Sequence, residues 1–190
     1  ADLFAFSTRD LQFTTGSGMR WPGGNLWFQR MQARGRTPES GAFRADRLDL
    51  GALALIANRL PIGEQARELI AARAPRGLVE NIDVAWQGPL ETPQTYQARG
   101  RVAGLSLASS VDASTPAARI AQARPPVGVP GVRGLDAEFD MSQAGGTASL
   151  SMADGALELP GVFEDPLLPL AQASGRLRWK RDGERIELAM

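Results

Sequence analysis

The stretch Leu50–Gly88, LGALALIANRLPIGEQARELIAARAPRGLVENIDVAWQG, decides the fold, because its hydrophobic period changes partway along. In its first part Ile62, Ala66, Leu69 and Ile70 recur at the spacing of one helix face. We therefore predict an amphipathic helix whose apolar stripe packs inward. A shorter helix over residues 50–58 is predicted to precede it, with the residue before Leu50 as its N-cap.

Pro75 and Gly77 end the second predicted helix, since proline lacks an amide hydrogen and glycine accepts the exit conformation. After Gly77 the period becomes two, which is typical of a strand. One side of this predicted strand carries Leu78, Glu80, Ile82, Val84 and Trp86. The segment thus predicts a helical pair that leads into one long strand with a mostly apolar side.

Composition limits the function classes that need to be considered. The chain has 190 residues, 43% of them hydrophobic, with 21 basic and 21 acidic side chains and no net charge. Bulk electrostatics therefore give no reason to expect nucleic acid as a partner. Cysteine and histidine are both absent, which removes thiolate nucleophiles, disulfides, and the commonest general base and metal ligand. We expect no cofactor and no catalytic activity.

The rest of the chain reads as strands with one apolar and one polar side. We divide the chain into residues 1–48 (strands), 49–75 (helical pair), 76–107 (long strands), 108–131 (mobile loop) and 132–190 (antiparallel meander). Three local irregularities are expected: a bulge at Ala103–Gly104, a turn at Asp154–Gly155 and a turn at Asp182–Gly183.

These elements predict a mainly β fold with two short helices. The strands form a long antiparallel sheet with one wet face. Two helices are too few to cover such a sheet. Its apolar side must therefore be buried by curvature, by a partner or by a ligand.

Two polar strand faces could carry chemistry, and they are formed by Asp136, Glu138 and Asp140, and by Arg176, Arg178 and Lys180. The carboxylates could imitate a metal or acid–base cluster, and the cations could meet lipid headgroups. We favour a solvated strand face for both. A hydrolase that uses the carboxylates is disfavoured because the chain has no histidine. Trp86 and Trp179 could pack in a core or line a cavity for an acyl chain, and the sequence leaves both readings open.

Several short motifs, taken in order, resemble an internal part of the YhdP-type, AsmA-like proteins of Gram-negative envelopes. They are Ala45–Leu50 (ADRLDL), Ala74–Gly77 (APRG), Trp86–Gly88 (WQG), Pro130–Leu135 (PGVRGL), Leu157–Leu167 (LELPGVFEDPL) and Gly175–Trp179 (GRLRW). The resemblance covers most of residues 41–180 and is weaker over 1–40. Each motif is a loose turn-and-strand pattern, so the specificity lies in their order and spacing.

The resemblance implies a periplasmic part of a protein anchored in the inner membrane, and a β-sheet groove that carries phospholipids between the inner and outer membranes. It implies that the long sheet is curved into a groove or an incomplete barrel, and that the chain is a single fragment of a larger β-groove domain. It implies no catalytic residues. Because the chain begins at Ala1 and both ends read as strand, we expect a piece of a longer protein. The expected partners are phospholipid acyl chains and other envelope proteins.

From strand parity, we predict that nine residues line the concave side of the groove: Ile82, Val84, Trp86, Val102, Leu135, Phe139, Leu150, Leu177 and Trp179. Acyl chains gain about 0.8 kcal/mol per buried CH₂, so such a lining needs no specific contacts. The alternative is a structural or protein-interaction module of the envelope, in which the same side chains form a closed core.

Overall fold

The computed structural model describes residues 2–16, 18, 20–21, 23–59, 64–90, 92–110, 128–183 and 185–189. Its strands are β1 (Leu3–Thr8), β2 (Phe13–Thr14), β3 (Arg20–Trp21), β4 (Leu26–Met31), β5 (Ser40–Asp49), β6 (Arg76–Gln87), β7 (Thr95–Leu107), β8 (Gly131–Ser142), β9 (Gly145–Glu158), β10 (Leu167–Asp182) and β11 (Arg185–Ala189). Between β5 and β6 lie helix α1 (Leu50–Ile56), a 3₁₀ turn (Ala57–Arg59) and helix α2 (Glu64–Arg73).

Nine strands form one antiparallel sheet in the order β1-β4-β5-β6-β7-β8-β9-β10-β11, and β2 and β3 pair separately. Within the described residues β1 and β11 are the two edges and do not pair with each other, so the sheet is open. The prediction of a mainly β fold with two short helices and an antiparallel sheet that does not close is confirmed.

Both helices lie at one end of the sheet, because they connect the end of β5 to the start of β6. The connections from β7 to β8 and from β9 to β10 lie at this same end, as antiparallel order requires. We call it the helical end. The predicted mobile loop, residues 108–131, starts and finishes here, and its residues 111–127 lie outside the described part of the chain.

A small closed core lies at the helical end. It consists of Trp21, Ala45, Leu48, Ala52, Val79 and Val102, all at most 8% exposed. Helix α1 contributes Ala52 and is capped by Asp49, whose Oδ1 accepts a hydrogen bond from the Ala52 amide at 2.8 Å. Leu26, Phe43, Ile82, Leu105 and Phe139 pack partly against this cluster. We refer to it as the covered cluster, and none of its members comes from β9, β10 or β11.

The predicted apolar stripe of α2 is wrong at Leu69, whereas Ile70 is half-buried. Leu69 is 63% exposed, and Ile62 lies outside the described residues. The end of α2 is held instead by polar contacts, since Arg73 Nη2 donates to the Pro130 carbonyl at 2.6 Å and the Arg73 carbonyl accepts from Ala108 N at 2.7 Å. Helix α1 is therefore the one that covers the sheet.

The alternation predicted for β6 fails in its first part. Val79, not Leu78 or Glu80, is buried, at 6% exposure. Asn81 has a φ of 51°, and the β6–β7 register shifts between Glu80 and Asp83. This bulge exchanges the two sides of the strand, so Val79 joins Ile82 on the same face.

Of the three predicted irregularities, the Ala103–Gly104 bulge is confirmed by a register shift between Val102 and Leu105 in the β7–β8 pairing. A turn at Asp182–Gly183 is also confirmed, because β10 ends and β11 follows there. The turn at Asp154–Gly155 is wrong. Strand β9 continues through these two residues and stays paired with both β8 and β10. Asp154, with a φ of 52°, forms a bulge in the pairing with β8.

Candidate apolar binding face

One row of apolar residues crosses the whole sheet. Residues opposite each other in an antiparallel pair point to the same face. The register joins Phe6, Phe28, Phe43, Val84, Ala98, Met141, Gly146, Trp179 and Leu188 into a single row across all nine strands. We call the face that this row defines the apolar face.

The next row points the other way and is polar. It contains Ser7, Trp27, Arg44, Asp83, Arg99, Asp140, Thr147, Arg178 and Ala189. Asp83 Oδ2 lies 3.3 Å from Arg44 Nε and 3.2 Å from Arg99 Nη2. We call this the charged face. The two rows differ sharply in chemistry although each residue in one is a chain neighbour of a residue in the other.

The register places all nine predicted lining residues on the apolar face. Val84 and Trp179 lie in its first row. Phe139 and Leu177 both face Ala148, and Leu150 faces Ala137, the partner of Val102. Ile82, Trp86 and Leu135 complete the set through their partners Ala45, Tyr96 and Met152. Whether these side chains contact lipid stays a prediction.

The nine residues differ in how open they are. Val102 belongs to the covered cluster, and Ile82 and Phe139 pack against it. Trp86 is 6% exposed, with the Phe28 ring 5.9 Å away and Gly41 directly beneath it. Val84, Leu135, Leu150, Leu177 and Trp179 are half-buried and outside the cluster. The open part of the apolar face therefore lies toward β9 and β10.

Aromatic side chains dominate the other margin of the apolar face. Phe4 on β1 meets Phe28 on β4 edge-to-face at 6.1 Å, and Phe28 meets Trp86 on β6. Phe4 and Phe6 are 62% and 50% exposed. An apolar surface therefore reaches the β1 edge of the sheet without a covering element in the described residues.

The open depressions lie on the charged face. One has a volume of about 860 Å³ and is lined in part by Asn25, Trp27, Arg44 and Asp83. A second, of about 610 Å³, includes Asp83, Arg99 and Asp140. Both are open hollows with mixed polar and apolar lining, and neither is lined mainly by the nine predicted residues.

The predicted carboxylate row sits opposite arginines. Glu138 pairs in register with Arg101 and Asp140 with Arg99, while Asp136 Oδ1 accepts a hydrogen bond from Gly104 N at 2.8 Å. Arg101 Nε in turn lies 3.7 Å from Glu80 Oε2. Signs therefore alternate across β5 to β8. Among the described residues no group of acidic side chains could hold a metal ion.

The fold and this face together define a class: an open antiparallel sheet with an apolar and a charged side, which the described covering elements shield at one end. The family model described as YhdP protein matches residues 2–190, and the chain belongs to the YhdP family. Family membership makes it part of a cell-envelope protein. No curated protein and no solved structure is significantly similar to it. None of the helices among the described residues is long and apolar enough to span a bilayer.

Sequence reasoning missed Trp21, which is 3% exposed and central to the covered cluster. It lies in a loop-like stretch, and β3 has only two residues, which is too few for an alternating hydrophobic pattern to be recognised. One signal was available: a tryptophan directly before Pro22 and Gly23, in a segment otherwise made of small and polar residues. A large aromatic in such a segment usually packs against something distant.

Proposed function

We propose that the apolar face binds phospholipid acyl chains and forms part of a non-catalytic path for phospholipids between the inner and outer membranes. The protein would act as the periplasmic part of an inner-membrane-anchored protein. One observation carries the proposal: the same face of all nine strands is apolar, whereas the described covering elements shield only its helical end.

The dimensions of the sheet suit this role. Neighbouring strands lie about 4.8 Å apart, so nine of them make an apolar surface roughly 38 Å wide if unrolled. Each acyl methylene buried on such a surface contributes about 0.8 kcal/mol without a specific contact. A surface of this kind holds a chain at many equivalent positions, which is what movement along it requires.

The rival is a module with a closed core that binds other envelope proteins. The covered cluster is a closed core of that kind, but it takes in residues of β5, β6 and β7 and leaves out β9 to β11. Gly175 on β10 illustrates the difference, since a Cβ built there would meet nothing within 4 Å. A completed core would have filled that space.

Photo-crosslinking at neighbouring positions tests the proposal. Benzoylphenylalanine would replace Leu150 or Leu177 on the apolar face. The matched controls are Ser149 and Arg176, one residue earlier in each strand and on the charged face. We expect phospholipid adducts from the first pair and not from the second, and phospholipid retained in native mass spectra of the purified protein.

Equal capture of lipid by both pairs would show that the faces do not discriminate, and the proposal would be wrong. Adducts to protein rather than lipid at Leu150 and Leu177, together with an empty native mass spectrum, would establish the interaction module instead.

A further inference from the structure

Among the described residues, Trp21 is the member of the covered cluster that comes from neither the nine-stranded sheet nor a helix. It comes from the small β2–β3 ribbon between β1 and β4. Its ring contacts the covered cluster, in which Ala45, Leu48, Val79 and Val102 come from the sheet and Ala52 from α1. Together Trp21 and α1 set the limit of the open apolar surface.

The tryptophan is held by packing alone. Its indole Nε1 is buried and has no hydrogen-bond partner among the described residues. Phe13 stacks on its ring at 5.7 Å with 5° between the planes, and Phe13 is itself 37% exposed. A two-stranded ribbon of two residues per strand has little stability of its own. The indole is therefore seated chiefly by the apolar surface that it covers.

The base of the ribbon, by contrast, is fixed by polar contacts. Asn25 donates from N and Nδ2 to the Asp46 carboxylate at 2.7 and 2.6 Å, and its Oδ1 accepts from Asp10 N at 3.0 Å. These bonds join the ends of the β1–β4 connection to β5. Of the described ribbon residues, Trp21 is the one that belongs to the covered cluster.

We infer that Trp21 is the stop that ends the lipid-binding part of the apolar face at the helical end. Its indole belongs to the same buried cluster as Val79 and Val102 and fills space there that an acyl chain would otherwise take. This inference rests on the proposed function, because it assigns a boundary to that same lipid-binding surface. Removing the ring should lengthen the surface that a chain can occupy.

The test maps where a lipid touches the protein. A phosphatidylcholine vesicle carrying a diazirine near the end of one acyl chain is irradiated with the protein, and the labelled peptides are identified by mass spectrometry. In the wild type we expect labels on β8 to β10 and none at Leu48, Val79 or Val102. In Trp21→Ala, labels should appear at those positions, and affinity should rise about fourfold for each methylene that enters.

Trp27→Ala is the matched control, because it removes a tryptophan that lies on the charged face and outside the covered cluster. Its label map should not extend toward the helical end. If Trp21→Ala loses its cooperative melting transition, Trp21→Leu replaces it in the experiment, because leucine is smaller than tryptophan but keeps an apolar contact.

The outcomes separate the two ideas. Absence of labels anywhere on the apolar face of the wild type would refute the proposed function itself. Two results would refute the role of Trp21 as a stop without refuting the proposed function. One is labelling of β8 to β10 that is the same in the wild type and the Trp21 variants, and the other is labelling of Val79 already in the wild type.

Discussion

At the scale of single residues, the Trp86 ring packs directly on Gly41 on the apolar face. They are direct partners across β5 and β6, and a Cβ at Gly41 would collide with the Trp86 ring. The indole is 6% exposed and has no room to retreat toward Phe28, 5.9 Å away. Glycine is thus required here by a neighbouring ring and not by a turn.

We therefore predict that Gly41→Ala lowers the free energy of unfolding by about 1–3 kcal/mol, the usual cost of overpacking. Gly175→Ala is the control, since its new methyl group would meet nothing within 4 Å. That change should be neutral or stabilise by about 0.5 kcal/mol, because alanine restricts the unfolded strand. Urea unfolding of both variants measures the difference. Similar values for the two variants would contradict the packing of Trp86 on Gly41.

Asp83 is the central carboxylate of the charged face. Its side chain is 27% exposed and bridges Arg44 and Arg99, which are 61% and 70% exposed. Ion pairs this open to water contribute little, so Asp83→Asn should cost no more than about 1 kcal/mol at low salt. The loss should shrink in 1 M NaCl, where the Debye length is about 3 Å. Denaturant unfolding at both ionic strengths checks it.

Asp140→Asn provides the comparison for Asp83, because Asp140 faces Arg99 in register without an ion pair within 4 Å among the described residues. We expect it to cost less than Asp83→Asn. An effect of Asp83→Asn that does not change with salt would mean that the carboxylate stabilises the sheet by packing or hydrogen bonding rather than by charge.

At the scale of elements, α1 depends on one cap. The helix has seven residues, carries no acidic residue in its first turn, and is started by the bond from Ala52 N to Asp49 Oδ1. Asp49→Ala should cost about 1 kcal/mol, whereas Asp49→Ser should retain most of the stability. Amide hydrogen exchange at Ala52 gives the local readout. Unchanged protection of that amide in Asp49→Ala would show that the cap is not what holds α1 on the sheet.

The strands illustrate how far sequence carries the prediction of the fold. Alternation assigns the apolar face correctly wherever a strand runs without a bulge, as from Ile82 to Trp86 and from Leu135 to Met141. It fails at Asn81 and Asp154, whose left-handed φ values arise from pairing with two neighbouring strands. A local sequence pattern does not predict these bulges, because asparagine and aspartate are also common in turns.

The candidate site divides in the same way. Strand parity places all nine proposed lining residues on one face, because the period of two is a local property. It does not reveal that Val102 is covered while Leu177 is open. That difference depends on Trp21, about 80 positions away in the chain, and no periodic signal links the two.

At the scale of the whole molecule, the sheet combines a closed and an open region on one continuous surface. The covered cluster secures the helical end, whereas β9 to β11 are held by cross-strand pairing and by two buried residues of β9, Met152 and Ala156, that lie outside the cluster. A surface designed only for stability would bury both regions. Different residues of the same face therefore stabilise the fold and form the proposed binding surface, so the two roles can be tested independently.

Charged substitutions should consequently unfold the protein in the closed region and prevent lipid binding, without unfolding, in the open region. Val79→Asp puts a carboxylate at a position with 6% exposure beneath α1 and Trp21, and we expect loss of the cooperative unfolding transition. Leu177→Asp places the same group on the open, half-buried part. It should change stability by less than about 1 kcal/mol and abolish lipid retention in native mass spectra, since a charge on an acyl-binding surface must be desolvated.

Ser149→Asp supplies the control for Leu177→Asp, because it introduces the same charge nearby on the other face of the sheet. It should leave both the melting transition and the bound lipid unchanged. If Leu177→Asp unfolds the protein as Val79→Asp does, the open region is in fact a core that needs a covering layer, and a closed interaction module replaces the lipid-binding face. Retention of lipid by a folded Leu177→Asp variant would instead place the binding surface elsewhere than on β10.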